Sequence, residues 1–290
     1  MNYRHAYHAG NFADVFKHVV LTRIIEYLKR KEQAFRVVDT HAGIGRYDLT
    51  GTEAGKTAEW RDGILRLLDG ASSGSIPPAV AELLAPYLDI IRAENAGDSL
   101  TTYPGSPLLA RRLMRKQDRL SALELHPEDV KTLATLFAGD HQARIIHLDG
   151  WLALGAHLPP KEKRGLVLVD PPFEIAGEFD RLVDGLIKAH KRFPGGTYAL
   201  WYPVKDRQEV KRFAARLRET GIAKILRLEL AIRPPSPEPR LDGTGMIVVN
   251  PPYTLESEMK LLLPCLTGLL GEAKGGSFAI EWIRGEQVTA

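Results

Sequence analysis

The run Gly165-Leu166-Val167-Leu168-Val169 is apolar without alternation and stops at Asp170-Pro171-Pro172-Phe173. A strand with no polar face must be buried on both sides, as where helices cover both faces of a parallel sheet. The prolines end it because neither can donate to a sheet ladder. Further short strand-like runs occupy 35–39, 120–125, 144–148, 197–201, 224–232, 245–250 and 277–283. Helical patterns at 179–191 and 206–220 lie between some of them. This alternation predicts an α/β fold with a mainly parallel, doubly wound sheet. The last strands flank a Pro-rich link, 234–239, which predicts an antiparallel hairpin at the sheet edge.

One stretch breaks the alternation. Residues 47–117 separate the first two strands, where a single crossover helix would suffice. Amphipathic patterns at 58–68, 79–94 and 106–117, jointed at 70–78 and 104–107, predict an all-helical insertion resting on the sheet. It is read as part of one domain, 1–290. Ahead of the first strand, Asn11 is placed to cap a helix starting at Phe12. Phe12, Val15, Phe16, Val19, Val20, Ile24 and Leu28 then share one stripe.

With 44% apolar and 26% charged residues, the chain is neither collagen-like, disordered nor a coiled coil. A formal charge of +3 says little, but its distribution says more. Residues 1–38 carry seven Lys/Arg and three acids, 108–120 five and one, and 205–240 ten and five. Each cluster alone is also what a solvated helix face carries; three together suit a nucleic-acid footprint. A single cysteine, Cys265, excludes an intramolecular disulfide framework and a thiolate metal cluster. No apolar run approaches the roughly 18 residues of a membrane span. His5, His8 and Asp14 interrupt the place of a signal peptide. The expectation is a cytoplasmic, monomeric protein without a membrane partner.

The first strand runs into Thr40-His41-Ala42-Gly43-Ile44-Gly45, a glycine turn of the kind that lets a cofactor approach the backbone. Asp48 stands where a dinucleotide fingerprint needs a small residue, and an acid there would repel a pyrophosphate. S-adenosylmethionine fits better, having a cationic sulfonium and no phosphate. The second strand ends at Glu124, where an acid can hold ribose hydroxyls. The third ends in Asp149-Gly150, where an acid can receive an adenine amino group and glycine leaves room for the ring. Taken singly, each is also an ordinary tight turn or a surface acid at a strand end; their order along the chain favours the joint reading.

The Asp-Pro-Pro-Phe turn suits methylation of an exocyclic amine. Such an amine is a poor nucleophile because its lone pair is delocalised into the ring. The Asp170 carboxylate and a backbone carbonyl of the turn can accept its two hydrogens and favour a pyramidal nitrogen. A planar base can stack on Phe173. Positioning and electrostatics then supply most of the catalysis. A second turn, Asn250-Pro251-Pro252-Tyr253, has the same local pattern. It ends the seventh strand, which is expected to run antiparallel and so to finish at the opposite edge. Asp170 is therefore the catalytic candidate. His5, His8 and His18 match no standard zinc spacing, although Asp14 and His18 share a helix face; no metal is expected. Tyr3-Arg4-His5-Ala6-Tyr7 suits stacking on unpaired bases and contacting phosphates.

In this order the motifs resemble those of class I S-adenosylmethionine-dependent amino-methyltransferases, with a Rossmann-like sheet of seven strands. The opening 3–18, YRHAYHAGNFADVFKH, is similar to that of the bacterial RlmJ family. So are Asp39-Thr40-His41-Ala42-Gly43, Tyr103-Pro104-Gly105-Ser106-Pro107, Leu200-Trp201-Tyr202-Pro203 and Gly245-Met246-Ile247-Val248. The resemblance spans nearly the whole chain. It implies methylation of the N6 of an adenine in 23S ribosomal RNA. It implies cofactor contacts at His18, His41, Gly43, Ser106, Glu124, Asp149, Gly150 and Asp170, with catalysis at Asp170, Pro171, Pro172 and Phe173. It places Tyr3, His5 and Lys17 in an N-terminal tail and helix, 1–34, that contacts RNA and covers the active site. Family members carry Tyr where Phe173 stands here, which keeps the stacking face. The competing functions are a DNA adenine methyltransferase, a protein-glutamine methyltransferase, a non-catalytic RNA-binding module and an NAD-dependent oxidoreductase.

Overall fold

The computed structural model describes residues 5–95, 97, 99–238, 240–272 and 275–286. A 3-10 turn, His5–Tyr7, precedes α1, Phe12–Leu28. The Asn11 side chain caps α1 by accepting from the backbone N–H groups of Ala13 and Asp14, as the sequence predicts. β1 (Arg36–Asp39) is followed by β2 (Arg46–Asp48), α2 (Thr52–Thr57), α3 (Ile64–Ser72), α4 (Pro78–Glu94), β3 (Thr102–Pro104) and α5 (Ser106–Leu113). Then come β4 (Arg119–Glu124), α6 (Pro127–Leu136), β5 (Ala143–His147), α7 (Gly150–Ala156), β6 (Gly165–Val169) and α8 (Glu178–Arg192). The chain continues through β7 (Thr197–Val204), α9 (Arg207–Glu219), β8 (Ile225–Ala231), β9 (Gly243–Val249), α10 (Leu255–Leu270) and β10 (Ser277–Arg284).

Eight strands form the main sheet in the order β10-β8-β9-β7-β6-β1-β4-β5. From β5 to β7 all pairings are parallel. The strand order reverses beside β1, which places a crevice at the C-terminal ends of β1 and β6. The sheet differs from expectation in two ways. All eight strand-like runs enter it, one more strand than the seven the resemblance implies, and β9 is no edge strand: it lies between β7 and β8, antiparallel to both. Every residue of β9 is buried, which its apolar sequence rewards only in an interior position. The edge falls to β10, whose exposed side chains include Phe278 and Trp282.

The insertion is not all-helical. β2 and β3 pair as a short antiparallel ribbon, Arg46 opposite Pro104 and Asp48 opposite Thr102. Sequence periodicity misses three-residue strands because they are shorter than one turn of any amphipathic pattern. The insertion's apolar residues, among them Ile64, Leu84, Tyr87 and Tyr103, share one core with α1, α10 and one sheet face. A second core, with α7, α8 and α9, fills the other face. One unforeseen element, α10, carries Pro264 inside it, a residue that reads against a helix, yet it buries Leu255, Met259, Leu262, Leu263, Leu266 and Leu270 along one stripe.

Because the insertion and α10 pack around it, α1 is buried on nearly its whole circumference. The expected stripe faces the core, but so does the other side: Asp14, Lys17, His18, Thr22 and Arg23 are all buried. Buried charges must be paired or hydrogen-bonded, so this polar face has to be matched by polar groups from elsewhere.

Candidate active site

The glycine turn stands at the C-terminal end of β1, tied to both neighbouring strands. The Thr40 N–H donates to the Leu168 carbonyl at 3.1 Å and the Ala42 N–H to that of Leu123 at 2.9 Å. Gly43 adopts a positive φ of 60°, and a Cβ there would meet the Tyr47 hydroxyl at 2.3 Å. The Gly43 N–H donates to Glu124 Oε2 at 2.8 Å, and the His126 N–H donates to Oε1 at 2.8 Å. Glu124 at the end of β4 is thus held rigidly against the turn, with lone pairs left for hydroxyl donors. After the turn the chain enters β2, not a helix, so no helix N-terminus is available for a pyrophosphate. Asp48, the residue that argued against a dinucleotide, is exposed and accepts from Thr50. The missing helix is the stronger reason.

Asp39, the last residue of β1, is fully buried and accepts a 2.6 Å hydrogen bond from the Ser106 hydroxyl. Burial pushes its carboxyl up to about 7, against the opposing effect of that bond. Sequence reasoning gave Asp39 no role, although an acid ending an otherwise apolar strand was the available signal.

The polar face of α1 meets the end of β6. Lys17 is 4% exposed, and its Nζ lies 2.6 Å from Asp170 Oδ2 and 2.8 Å from Asp14 Oδ1. Asp14 Oδ2 in turn accepts from the Gly10 N–H at 2.9 Å and lies 2.9 Å from His5 Nε2. The result is a connected polar chain, His5–Asp14–Lys17–Asp170, with Lys17 between two carboxylates. Burial alone would favour a neutral amine and a neutral acid. The carboxylates of Asp14 and Asp170 instead hold Lys17 well above its ordinary range. Asp14, despite its own burial, is held well below its range by His5 and Lys17. This changes the expected place of Lys17: its ammonium is shared between two internal carboxylates and does not face solvent as a phosphate contact. A lysine at i+3 from an acid was the signal, and it reads equally as a surface pair. Tyr3 lies outside the described residues.

His18 is fully buried, its Nδ1 hydrogen-bonded at 2.7 Å to the Tyr103 hydroxyl, which also meets the Tyr87 hydroxyl at 2.9 Å. Its Nε2 is buried without a hydrogen-bond partner among the described residues. Burial lowers His18 to about 3, so the ring is neutral.

Asp170 leaves β6 into the double-proline turn. Phe173 holds φ at 52°, a left-handed conformation that is costly for a bulky side chain and tends to mark functional turns. Its ring packs edge-to-face against Phe179 at 5.0 Å and Trp201 at 5.7 Å between centroids. The Trp201 indole donates to Thr244 Oγ1 at 2.8 Å, which anchors this aromatic wall to β9.

At the end of β5, Asp149 caps α7 through the Trp151 N–H at 2.9 Å and lies 3.4 Å from Arg181. Gly150 proves necessary for a reason other than ring clearance: a Cβ there would strike the Thr40 carbonyl oxygen at 2.1 Å. His41 packs against Trp151 with centroids 5.5 Å apart, and enclosure of its ring lowers it to about 4. Glu124, Asp149, Asp170 and the glycine turn thus lie along the C-terminal ends of adjacent parallel strands, β5-β4-β1-β6. Asn250 does not. It follows the antiparallel β9, and its side-chain amide donates to the carbonyls of Pro194 and Gly196 below β7. No group of acids, histidines and cysteines able to hold a metal occurs among the described residues. No described helix is long and apolar enough to cross a membrane.

The family described as "Ribosomal RNA large subunit methyltransferase D, RlmJ" matches residues 32–284. The chain is 46% identical over 287 residues to the Haemophilus influenzae protein "Ribosomal RNA large subunit methyltransferase J", covering 99% of this chain and 100% of that protein. It is 45% identical to the Escherichia coli protein of the same description, covering 98% and 99%. The crystal structure of a Legionella pneumophila protein, 37% identical, superposes with a TM-score of 0.85 over 97% of this chain and 99% of that one. With a sheet whose order reverses at β1 and with its acids aligned along one edge, the chain belongs to the RlmJ family of methyltransferases.

Proposed function

We propose that this enzyme transfers a methyl group from S-adenosylmethionine to the N6 amine of an adenine in 23S ribosomal RNA, at Asp170. The observation that carries the reading is the place of Asp170-Pro171-Pro172-Phe173: beside the glycine turn, with one Asp170 oxygen held by Lys17 at 2.6 Å. That bond orients the carboxylate and leaves Oδ1 to accept a hydrogen of the amine. A carbonyl of the proline turn accepts the second hydrogen, and Phe173, fixed by Phe179 and Trp201, offers a face to the base.

The residues suit the cofactor. His18, His41, Gly43, Ser106, Glu124, Asp149, Gly150 and Asp170 are read as its contacts. Glu124 would receive the ribose hydroxyls, and the orphaned His18 Nε2 gains a partner when the site is filled. The carboxylates of Glu124, Asp149 and Asp170 favour a cationic ligand. S-adenosylmethionine supplies a methyl group already activated on a sulfonium. Atoms balance simply: the N6–methyl bond forms as the sulfur–methyl bond breaks, and the N6 proton leaves toward Asp170 and solvent. Asp170 need not be a strong base, because the amine becomes acidic as the methyl arrives. Residues 1–34, with Tyr3 and His5, would cover the pocket over bound RNA, and 47–117 would act as an insertion within one methyltransferase domain. The protein is read as a cytoplasmic monomer.

The test is labelled-methyl transfer from S-adenosylmethionine to unmodified 23S ribosomal RNA, duplex DNA and protein, with Asp170→Ala as control. Label appearing in N6-methyladenine of the RNA is the expected result. Label in DNA alone, or full activity in Asp170→Ala, would overturn the reading.

A further inference from the structure

Away from the acid-lined edge, a cleft of about 300 Å³ opens between α5 and α6, a volume suited to a small polar group. Its floor is apolar, formed by Leu108, Leu136 and Phe137, and Arg46, Arg111, Arg112 and Asp140 line it. Two carboxylates pair with these arginines. Glu94, with a side chain only 4% exposed, bonds Arg46 through one oxygen and Arg112 through the other, at 2.8 Å. Asp140 takes Arg111 at 2.6 Å, and the Gln142 carbonyl accepts from Arg111 Nη2 at 2.8 Å. Three guanidiniums meet two carboxylates, a local charge of +1.

The arrangement differs from the basic run after β7, where exposed carboxylates pair with exposed arginines, as Arg216 does with Asp180 and Asp184. Here the buried Glu94 lies beneath two exposed guanidiniums, Arg112 at 54% and Arg46 at 40% side-chain exposure, while Arg111 and Asp140 are both half-buried. Each arginine spends its Nε and Nη2 on its carboxylate, and Nη1 of all three has no hydrogen-bond partner among the described residues. The buried Glu94 and the half-buried Asp140 thus hold three planar forks in place at little further entropic cost, with donors to spare for an anion with several acceptor oxygens.

Position identifies the anion. Arg46 directly follows the glycine turn at Gly45. Arg111 and Arg112 lie on α5, whose first residue, Ser106, bonds Asp39. At about 1.5 Å per residue, Arg112 is roughly 9 Å along the helix from Ser106, so the cleft stands on the glycine-turn side of the site. We infer that this cleft is a backbone subsite, in which Arg46, Arg111 and Arg112 bind an RNA phosphodiester flanking the target adenine. The inference rests on the proposed RNA substrate. An exposed phosphate suits the guanidiniums, while the apolar floor accepts the sugar beside it.

Arg111→Gln and Arg112→Gln test it, read by methyl transfer and by fluorescence anisotropy of a single-stranded RNA spanning the target. Since Arg112→Gln leaves the buried Glu94 with one partner, Glu94→Gln/Arg112→Gln is run beside it to keep the fold intact. Expected are a KM for RNA raised about fivefold or more, kcat and S-adenosylmethionine affinity within twofold, and a salt dependence of log K shallower by about 0.7 per lost contact. An unchanged KM and salt slope in the folded variants, with the unaltered enzyme active on RNA, would overturn the subsite alone. Failure of the unaltered enzyme to methylate RNA would instead overturn the function on which it rests.

Discussion

Two turns in this molecule share one local sequence pattern and have opposite fates. Asp170-Pro171-Pro172-Phe173 and Asn250-Pro251-Pro252-Tyr253 each follow a fully buried strand. β6 is parallel to β1, so Asp170 emerges beside the glycine turn and meets Lys17. β9 is antiparallel to β7, so Asn250 emerges at the other edge and closes on the carbonyls of Pro194 and Gly196. Phe173 is walled in by Phe179 and Trp201, whereas Tyr253 is 79% exposed. A chemical motif therefore acquires its meaning from strand direction, which decides what stands opposite it.

The strongest way to break the comparison is to exchange the outcomes. Asp170→Ala is expected to lower methyl transfer roughly 10³-fold or more, the scale on which positioned polar groups act, while Asn250→Ala stays within about twofold in the same assay; comparable losses would show the second turn to be functional. Next is the charge behind Asp170. Lys17→Met leaves Asp14 and Asp170 without their shared cation and is expected to cost about 3–5 kcal/mol of stability in urea unfolding, as well as activity. A variant as stable as the parent would show the pair to be dispensable.

The aromatic residues give a smaller contrast. Phe173→Ala is expected to reduce kcat/KM about tenfold or more, in keeping with one lost base stack, while Phe173→Tyr and Tyr253→Ala remain within about twofold. Equal effects at 173 and 253 would remove stacking from the mechanism. The smallest effect concerns pH. The folded carboxyl of Asp39, at about 7, stands above its ordinary 3.8. Its contribution to stability is therefore complete below pH 3.8 and lost as pH rises through 7. In Asp39→Asn, the fall in urea-unfolding free energy between pH 5 and pH 8 should shrink; an unchanged difference would mean that Asp39 ionises normally.

The strands were legible because burial on both faces leaves apolar runs, and β6 and β9 show this most clearly. Their direction was legible less directly, through the count from the glycine turn and the Pro-rich link before β9. The interior position of β9 and the ribbon of β2 and β3 were not legible, since neither depends on a local period. The basic run of α5 reads as a charge cluster in sequence. In the structure Arg111, Arg112 and Arg115 are each matched by an acid, Asp140, Glu94 and Asp118. Only the exposure of the guanidinium heads sets Arg112 apart.

By itself the sequence determined the sheet-and-helix alternation, the glycine turn and the strand end at Asp170, because short-range sterics and binary burial are written into neighbouring residues. It also carried an opening motif similar to that of the RlmJ family. What tertiary structure alone decided is the environment of α1. Its apolar stripe predicts an ordinary amphipathic helix with a wet polar face. The insertion and α10 close over that face, so Lys17 becomes an internal cation between Asp14 and Asp170, and His18 a neutral buried ring. Ionisation of this kind depends on desolvation and on charges brought from distant parts of the chain, and no local pattern records either.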